Sequence, residues 1–157
     1  MGFYEWMLAF HLLSAFSVAA ALVLYSVLVV SGRRSSASLE QARLLFRVAP
    51  VATPLIAAGS VLVLVFGVIL AIDSDRFEIW DGWVIAGIVL WALLGAVGQR
   101  TGAYYTAIQE LAEREGGAPP EQDVMTRLRA PTGAVLHLAT LVVFVLIVLD
   151  MLFKPWA

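Results

Sequence analysis

Two histidines are the residues in this sequence with the most chemical potential, and both lie within long apolar stretches. His11 falls in the first such stretch and His137 in the last. A polar side chain in hydrocarbon costs free energy unless it has a partner, so these positions call for a hydrogen bond, a metal or a cofactor. Because imidazole is a standard axial ligand of haem iron, haem b binding is one hypothesis for this chain.

The expected depths of the two histidines fit one shared haem poorly. His11 lies near the outer end of the first span and His137 near the inner end of the last. With a helical rise of about 1.5 Å per residue and a core of about 30 Å, their levels differ by about 12 Å. Two haems with one histidine each, or one haem on His11 and another residue, stay open. Tyr25 is expected at the level of His137, where the two side chains would hydrogen-bond and could form part of such a site.

A copper site is the alternative that uses the same first histidine. Met7 lies one turn before His11 on the same helix face, and Met151 ends the last span on the same side of the membrane. Thioether and imidazole groups suit Cu(I), although both methionines could equally be packing residues. Asp150 lies nearby in the sequence, and we expect it to pair with Lys154 four residues later.

The composition indicates a membrane protein and excludes several kinds of chemistry. Of the 157 residues, 61% are hydrophobic and 14% are charged, against about 25% charged in soluble domains. The chain has no cysteine, which excludes disulfides, thiolate zinc sites and iron–sulfur clusters. It has no glycine-rich phosphate loop, nucleophile elbow or HExxH motif, and its basic residues are too sparse to predict a nucleic-acid partner.

Four apolar stretches are long enough to cross a bilayer. They predict a single-domain, all-α, integral membrane four-helix bundle with up-down topology. The spans cover about residues 6–30, 51–72, 83–99 and 132–153.

The distribution of positive charge predicts the orientation of the bundle. Eight arginines lie in the connections 31–50 and 100–131, whereas the rest of the chain holds only Arg76 and Lys154. Lys and Arg are enriched in cytoplasmic loops, so both termini are expected outside, in a multi-pass protein of a bacterial plasma membrane. Aromatic residues flank the predicted outer side, as interfacial belts do: Tyr4, Trp6, Trp80, Trp83 and Trp156.

Both connections are predicted to contain amphipathic helices. Ser38 and Gln41 form a capping-box pattern before residues 39–48, where Leu44, Leu45 and Val48 share one face. The third helix is expected to continue to about Arg114, and a short helix to cover 121–129. Each half of the chain is then a span, an amphipathic piece and a span, which is a faint internal repeat.

Small and polar residues indicate which faces of the spans pack together. Small residues mark close helix contacts in membranes, and here they are Ala57, Ala58, Gly59 and Ser60 in the second span and Gly87, Gly95 and Gly98 in the third. Two stripes at helical spacing should face the bundle interior, namely His11, Ser14, Val18, Ala21 and Tyr25, and Gly133, His137, Thr140 and Phe144.

Three short segments carry a resemblance to a known group of proteins. They are Phe10-His11-Leu12-Leu13, Leu90-Trp91-Ala92-Leu93-Leu94-Gly95 and Leu149-Asp150-Met151-Leu152-Phe153-Lys154-Pro155. The chain resembles the small bacterial four-helix membrane proteins of unknown function, which are similar in layout to copper-resistance D proteins and HemJ-type protoporphyrinogen oxidases. The resemblance implies that His11 is a haem-proximal residue or a copper ligand.

Two functions of different class follow from these observations. One is a non-catalytic helical bundle, either an accessory subunit of a larger membrane complex or a self-associating scaffold, in which the histidines only hydrogen-bond. The other is a redox-linked membrane protein that binds haem b, or copper, through His11 and also His137. Besides the lipid bilayer, the expected partners are copies of the chain or other membrane subunits.

Overall fold

The computed structural model of the protein describes residues 2–34, 38–47, 49–73, 78–113 and 121–154. Within these residues the chain is helical and has no strand. The six helices are α1 (Phe3–Gly32), α2 (Leu39–Phe46), α3 (Ala49–Asp73), α4 (Gly82–Glu113), α5 (Glu121–Arg129) and α6 (Pro131–Phe153). The long helices α1, α3, α4 and α6 are each apolar enough to cross a membrane, so the predicted four-helix membrane bundle is confirmed. Arg76, Arg114, Val48 and Trp156 lie outside the described residues.

The short helices follow their sequence signals closely. The capping box forms at α2, where the Ser38 N–H donates to Gln41 Oε1 at 3.4 Å and the Gln41 N–H donates to Ser38 Oγ at 3.3 Å. The predicted apolar face is wrong at Leu44, which is 54% exposed. α2 instead buries Ala42 and Phe46 against its neighbours, because that side of the helix faces α1 and α4.

The bundle consists of two helix pairs, α1 with α3 and α4 with α6, and the pairs touch each other much less. In the first pair a Cβ on Gly59 would lie 3.1 Å from the Ser14 carbonyl oxygen, so the two backbones nearly meet. The small-residue prediction is confirmed there. It is wrong for Gly95 and Gly98, where a Cβ would meet nothing within 4 Å, because α4 stands away from α3 at that height. Ala57 and Ala58 are also exposed.

The two ends of the bundle pack differently. We call the end that holds α2 and α5 the connector end, and the end with the start of α1 and the finish of α6 the terminal end. The connector end contains the largest apolar core, which includes Leu28, Phe46, Ile108, Val124 and Leu128. The terminal end has a small cluster of Ala71, Trp83 and Val84. Trp83 is only 7% exposed, so it packs inside the bundle and not in the predicted interfacial belt.

Candidate functional site

His137 lies in the connector half of the bundle and is fully used by a contact between helices. Its Nε2 is 2.8 Å from Ser26 Oγ, and that hydroxyl lies 2.9 Å from the Leu22 carbonyl oxygen. The hydroxyl has one proton, which it donates to Leu22, so the His137 N–H donates to Ser26. The predicted partner Tyr25 is wrong, since its hydroxyl lies 3.0 Å from Thr53 Oγ1.

His11 lies in the terminal half and is held by the backbone of α3. Its Nδ1 is 2.9 Å from the Val63 carbonyl oxygen. A carbonyl only accepts, so Nδ1 carries the proton and Nε2 keeps its lone pair, as in histidines that bind metals. Nε2 makes no hydrogen bond with the part of the chain that the structure describes. Gly67 allows this arrangement, since a Cβ there would lie 3.1 Å from His11 Cε1.

The two histidines belong to separate sites. Ser26 marks the level of His137 on α1, and it follows His11 by 15 residues. At the helical rise this is about 22 Å along the axis, more than the sequence-based estimate. No single iron could bind both imidazoles, so a haem shared between them is excluded by the geometry. Tyr25 stays with the His137 end and is equally remote from His11.

A cavity of about 270 Å³ opens beside His11 between the two helix pairs. Its walls come from α1, α3, α4 and α6, and the lining includes His11, Gly67, Trp83, Trp91, Met151 and Lys154. The lining is mainly apolar and aromatic. Met151 therefore shares the cavity with His11, as the copper hypothesis requires, whereas Met7 is not part of the lining. Trp91 also fixes the seam between the pairs, because its Nε1–H donates to the Ser60 carbonyl oxygen at 3.0 Å.

Asp150 is a buried carboxylate at the wall of this cavity. It is 7% exposed, and its Oδ2 has no hydrogen-bond partner among the described residues. A Cβ on Gly87 would lie 3.3 Å from this oxygen, and Gly87 lines the cavity. Lys154, the predicted partner, lies with its Nζ 5.1 Å from the Trp83 ring centroid and does not reach Asp150 Oδ2. The expected ion pair is therefore not formed through that oxygen.

The cavity offers hydrogen-bond acceptors but few protein ligands for a metal. In the described ranges there is no group of three or more His, Asp or Glu side chains that could hold a metal ion. His11 and Met151 are the imidazole and the thioether at the cavity. Sequence reasoning found those two, but it missed Gly67, Gly87 and Trp83, whose roles depend on how the helix pairs face each other.

Comparison with known proteins places the chain in a family. No curated protein and no solved structure matches it. The family model described as predicted integral membrane protein (DUF2269) matches residues 6–155. The match includes all four membrane helices almost entirely, and with them His11, His137 and the whole terminal cavity except Tyr4. The protein therefore belongs to the DUF2269 family of integral membrane proteins, the kind of family of unknown function that its sequence resembles.

Proposed function

We propose that the protein is a non-catalytic membrane bundle that works as an accessory subunit of a larger membrane complex or as a self-associating scaffold. The observation that carries this proposal is the use of polar side chains in the connector half. They bond to each other across helices, as His137 does with Ser26, Tyr25 with Thr53, and Thr101 with Thr140 at 3.2 Å. Such bonds hold helices together in lipid and leave no group poised to attack a substrate.

The mass of the purified assembly tests this proposal. We expect native mass spectrometry of the protein, released from its own membranes in mild detergent, to give a mass well above the 17.0 kDa of one chain. Extra copies would identify a scaffold and a different bound chain an accessory subunit. A single 17.0 kDa chain that turns over a substrate would contradict the proposal.

Haem b on His11 is the second candidate, and a specific contact favours it. The bond from His11 Nδ1 to the Val63 carbonyl holds the ring in the orientation and tautomer that leave Nε2 for an axial bond. The apolar lining of the cavity suits a macrocycle, and the ring of Trp91 lies beside it. His137 has no part in this site, because its imidazole N–H is already donated to Ser26.

Visible absorption spectra decide this second candidate. If His11 binds haem, protein purified from cells supplied with a haem precursor shows a Soret band, and His11→Ala removes most of it. His137→Ala is the matched control and should keep the band, since it changes an equally membrane-embedded histidine at the other end. A folded, colourless preparation rules the candidate out.

We also propose that the terminal end, with both chain termini, faces the outside of a bacterial plasma membrane. The support is the excess of arginine in the connections, which the positive-inside rule assigns to the cytoplasm. The chain has no native cysteine, so a cysteine introduced at exposed Gly2 or at exposed Glu40 reports one end alone. A membrane-impermeant maleimide added to intact cells should label Gly2→Cys and not Glu40→Cys.

A further inference from the structure

The polar groups around the terminal cavity are mostly acceptors of hydrogen bonds. His11 Nε2 keeps a lone pair, because Nδ1–H is donated to the Val63 carbonyl oxygen. Asp150 Oδ2 is buried at the cavity wall without a described partner, beside Gly87, which has no side chain to cover it. A buried acceptor without a partner costs about 1–3 kcal/mol. A ligand with hydroxyl donors would remove that cost, whereas one with only acceptors would not.

The rest of the cavity lining sets the shape and polarity of such a ligand. The indole rings of Trp83 and Trp91 provide flat apolar walls, which favour an aromatic ring by stacked or edge contacts. The volume of about 270 Å³ lies at the small end of ligand pockets, which span about 300–1,000 Å³. One substituted ring fits this space, and the cavity lies between membrane helices, where an alkyl chain can extend into lipid.

We propose that the terminal cavity binds a hydroxylated aromatic amphiphile of the alkylated hydroquinone class, with ring hydroxyls donating to His11 Nε2 and to Asp150 Oδ2. This inference rests on the proposed non-catalytic function, since the ligand is bound and not converted. It assigns work to the two polar groups of the spans that the connector-half hydrogen bonds leave out. Gly87 acts as a positioning residue, because its missing side chain leaves the carboxylate within reach of the cavity.

The experiment compares two probes that differ only in their donors. Decylhydroquinone and its dimethyl ether share ring and tail, but the ether has no hydroxyl. Binding to the protein in detergent is followed under anaerobic conditions by quenching of tryptophan fluorescence. We expect the hydroquinone to bind about tenfold more tightly than the ether, the size expected for one or two net hydrogen bonds.

Variants connect this preference to the site. His11→Phe keeps an aromatic ring and removes the acceptor, so the preference for the hydroquinone should fall to about threefold or less. Gly87→Ala should weaken binding of both probes, because its Cβ would lie 2.7 Å from Met151 Cε and 3.3 Å from Asp150 Oδ2. Gly95→Ala is the control on the same helix, since its Cβ would meet nothing within 4 Å. Circular dichroism verifies that each variant is folded.

Each outcome supports or overturns the inference. Equal binding of the two probes, or an undiminished preference in folded His11→Phe, overturns it, and so does a Soret band that depends on His11, since haem would then fill the cavity. If the hydroquinone binds as expected but is oxidised at a rate that depends on His11, the site assignment survives and the non-catalytic function fails. Preference lost in His11→Phe and retained in Gly95→Ala supports both.

Discussion

Replacing Gly133 with alanine is expected to lower the free energy of unfolding by about 1–2 kcal/mol. The new Cβ would lie 2.7 Å from Tyr104 Cε1 and 2.7 Å from the Tyr105 hydroxyl oxygen. Neither ring has room to move, because Tyr105 is 4% exposed and the Tyr104 hydroxyl donates to the Arg127 carbonyl oxygen at 2.7 Å. Overpacking costs about 1–3 kcal/mol, and the higher helix propensity of alanine returns up to about 1 kcal/mol.

The matched control for this prediction is Gly98→Ala. A Cβ on Gly98 meets nothing within 4 Å, so only the helix propensity changes and the protein should be as stable as the parent or slightly more so. Unfolding in mixed micelles with increasing SDS, followed by circular dichroism, measures both variants. Equal midpoints for Gly133→Ala and Gly98→Ala would show that α6 does not pack on the tyrosines of α4 as described.

The spans could be predicted from the sequence because lipid allows few alternatives. A chain in hydrocarbon must satisfy its backbone within a helix or a closed barrel, so four long apolar stretches determine four helices. The same constraint predicted the inward faces. Ser14, Val18 and Ala21 of the α1 stripe are buried, as are His137 and Thr140 of the α6 stripe, because polar groups at depth must turn towards other helices.

The partners within those faces could not be predicted in the same way. Adjacent residues on a helix differ by about 100° in direction, so Tyr25 and Ser26 present different sides of α1 at nearly the same level. Which of them meets His137 depends on the rotation of α1 against α6. The sequence contains no local signal for that rotation, and His137 bonds to Ser26 while Tyr25 turns towards Thr53.

The terminal cavity is likewise a product of how the helix pairs face each other. Small residues predict contact, yet Gly59 and Gly95 have opposite surroundings: one almost touches a neighbouring backbone and the other faces open space. Composition does not distinguish them, because the distance between α3 and α4 decides the outcome. His11 was identifiable as a candidate from its type and depth alone, whereas the cavity beside it needed the positions of all four long helices.

Exchanging Arg43 for methionine is expected to lower the free energy of unfolding by about 1–2 kcal/mol. Arg43 Nε and Nη2 donate to the Ala112 carbonyl oxygen at 3.0 and 2.8 Å. α4 ends at Glu113, so this oxygen is one of the last four carbonyls of the helix, which have no partner within it. Hydrogen bonds from charged groups contribute about 1.5–3 kcal/mol, and the exposure of Arg43 reduces that value.

Two further substitutions separate the fork of hydrogen bonds from the positive charge. Arg43→Lys keeps the charge but has no planar pair of N–H groups, so its stability should lie between those of the parent and Arg43→Met. Arg47→Met removes a charge from an exposed arginine whose side chain makes no hydrogen bond with the described residues, and it should be nearly neutral. SDS titration applies to all three variants. An equal loss in Arg47→Met and Arg43→Met would show that net charge, and not the contact with α4, holds α2 in place. The opposite ranking would mean that α2 is joined to the bundle by a specific bond at the end of α4, so that the connector end acts as the rigid base from which the two helix pairs diverge towards the terminal cavity.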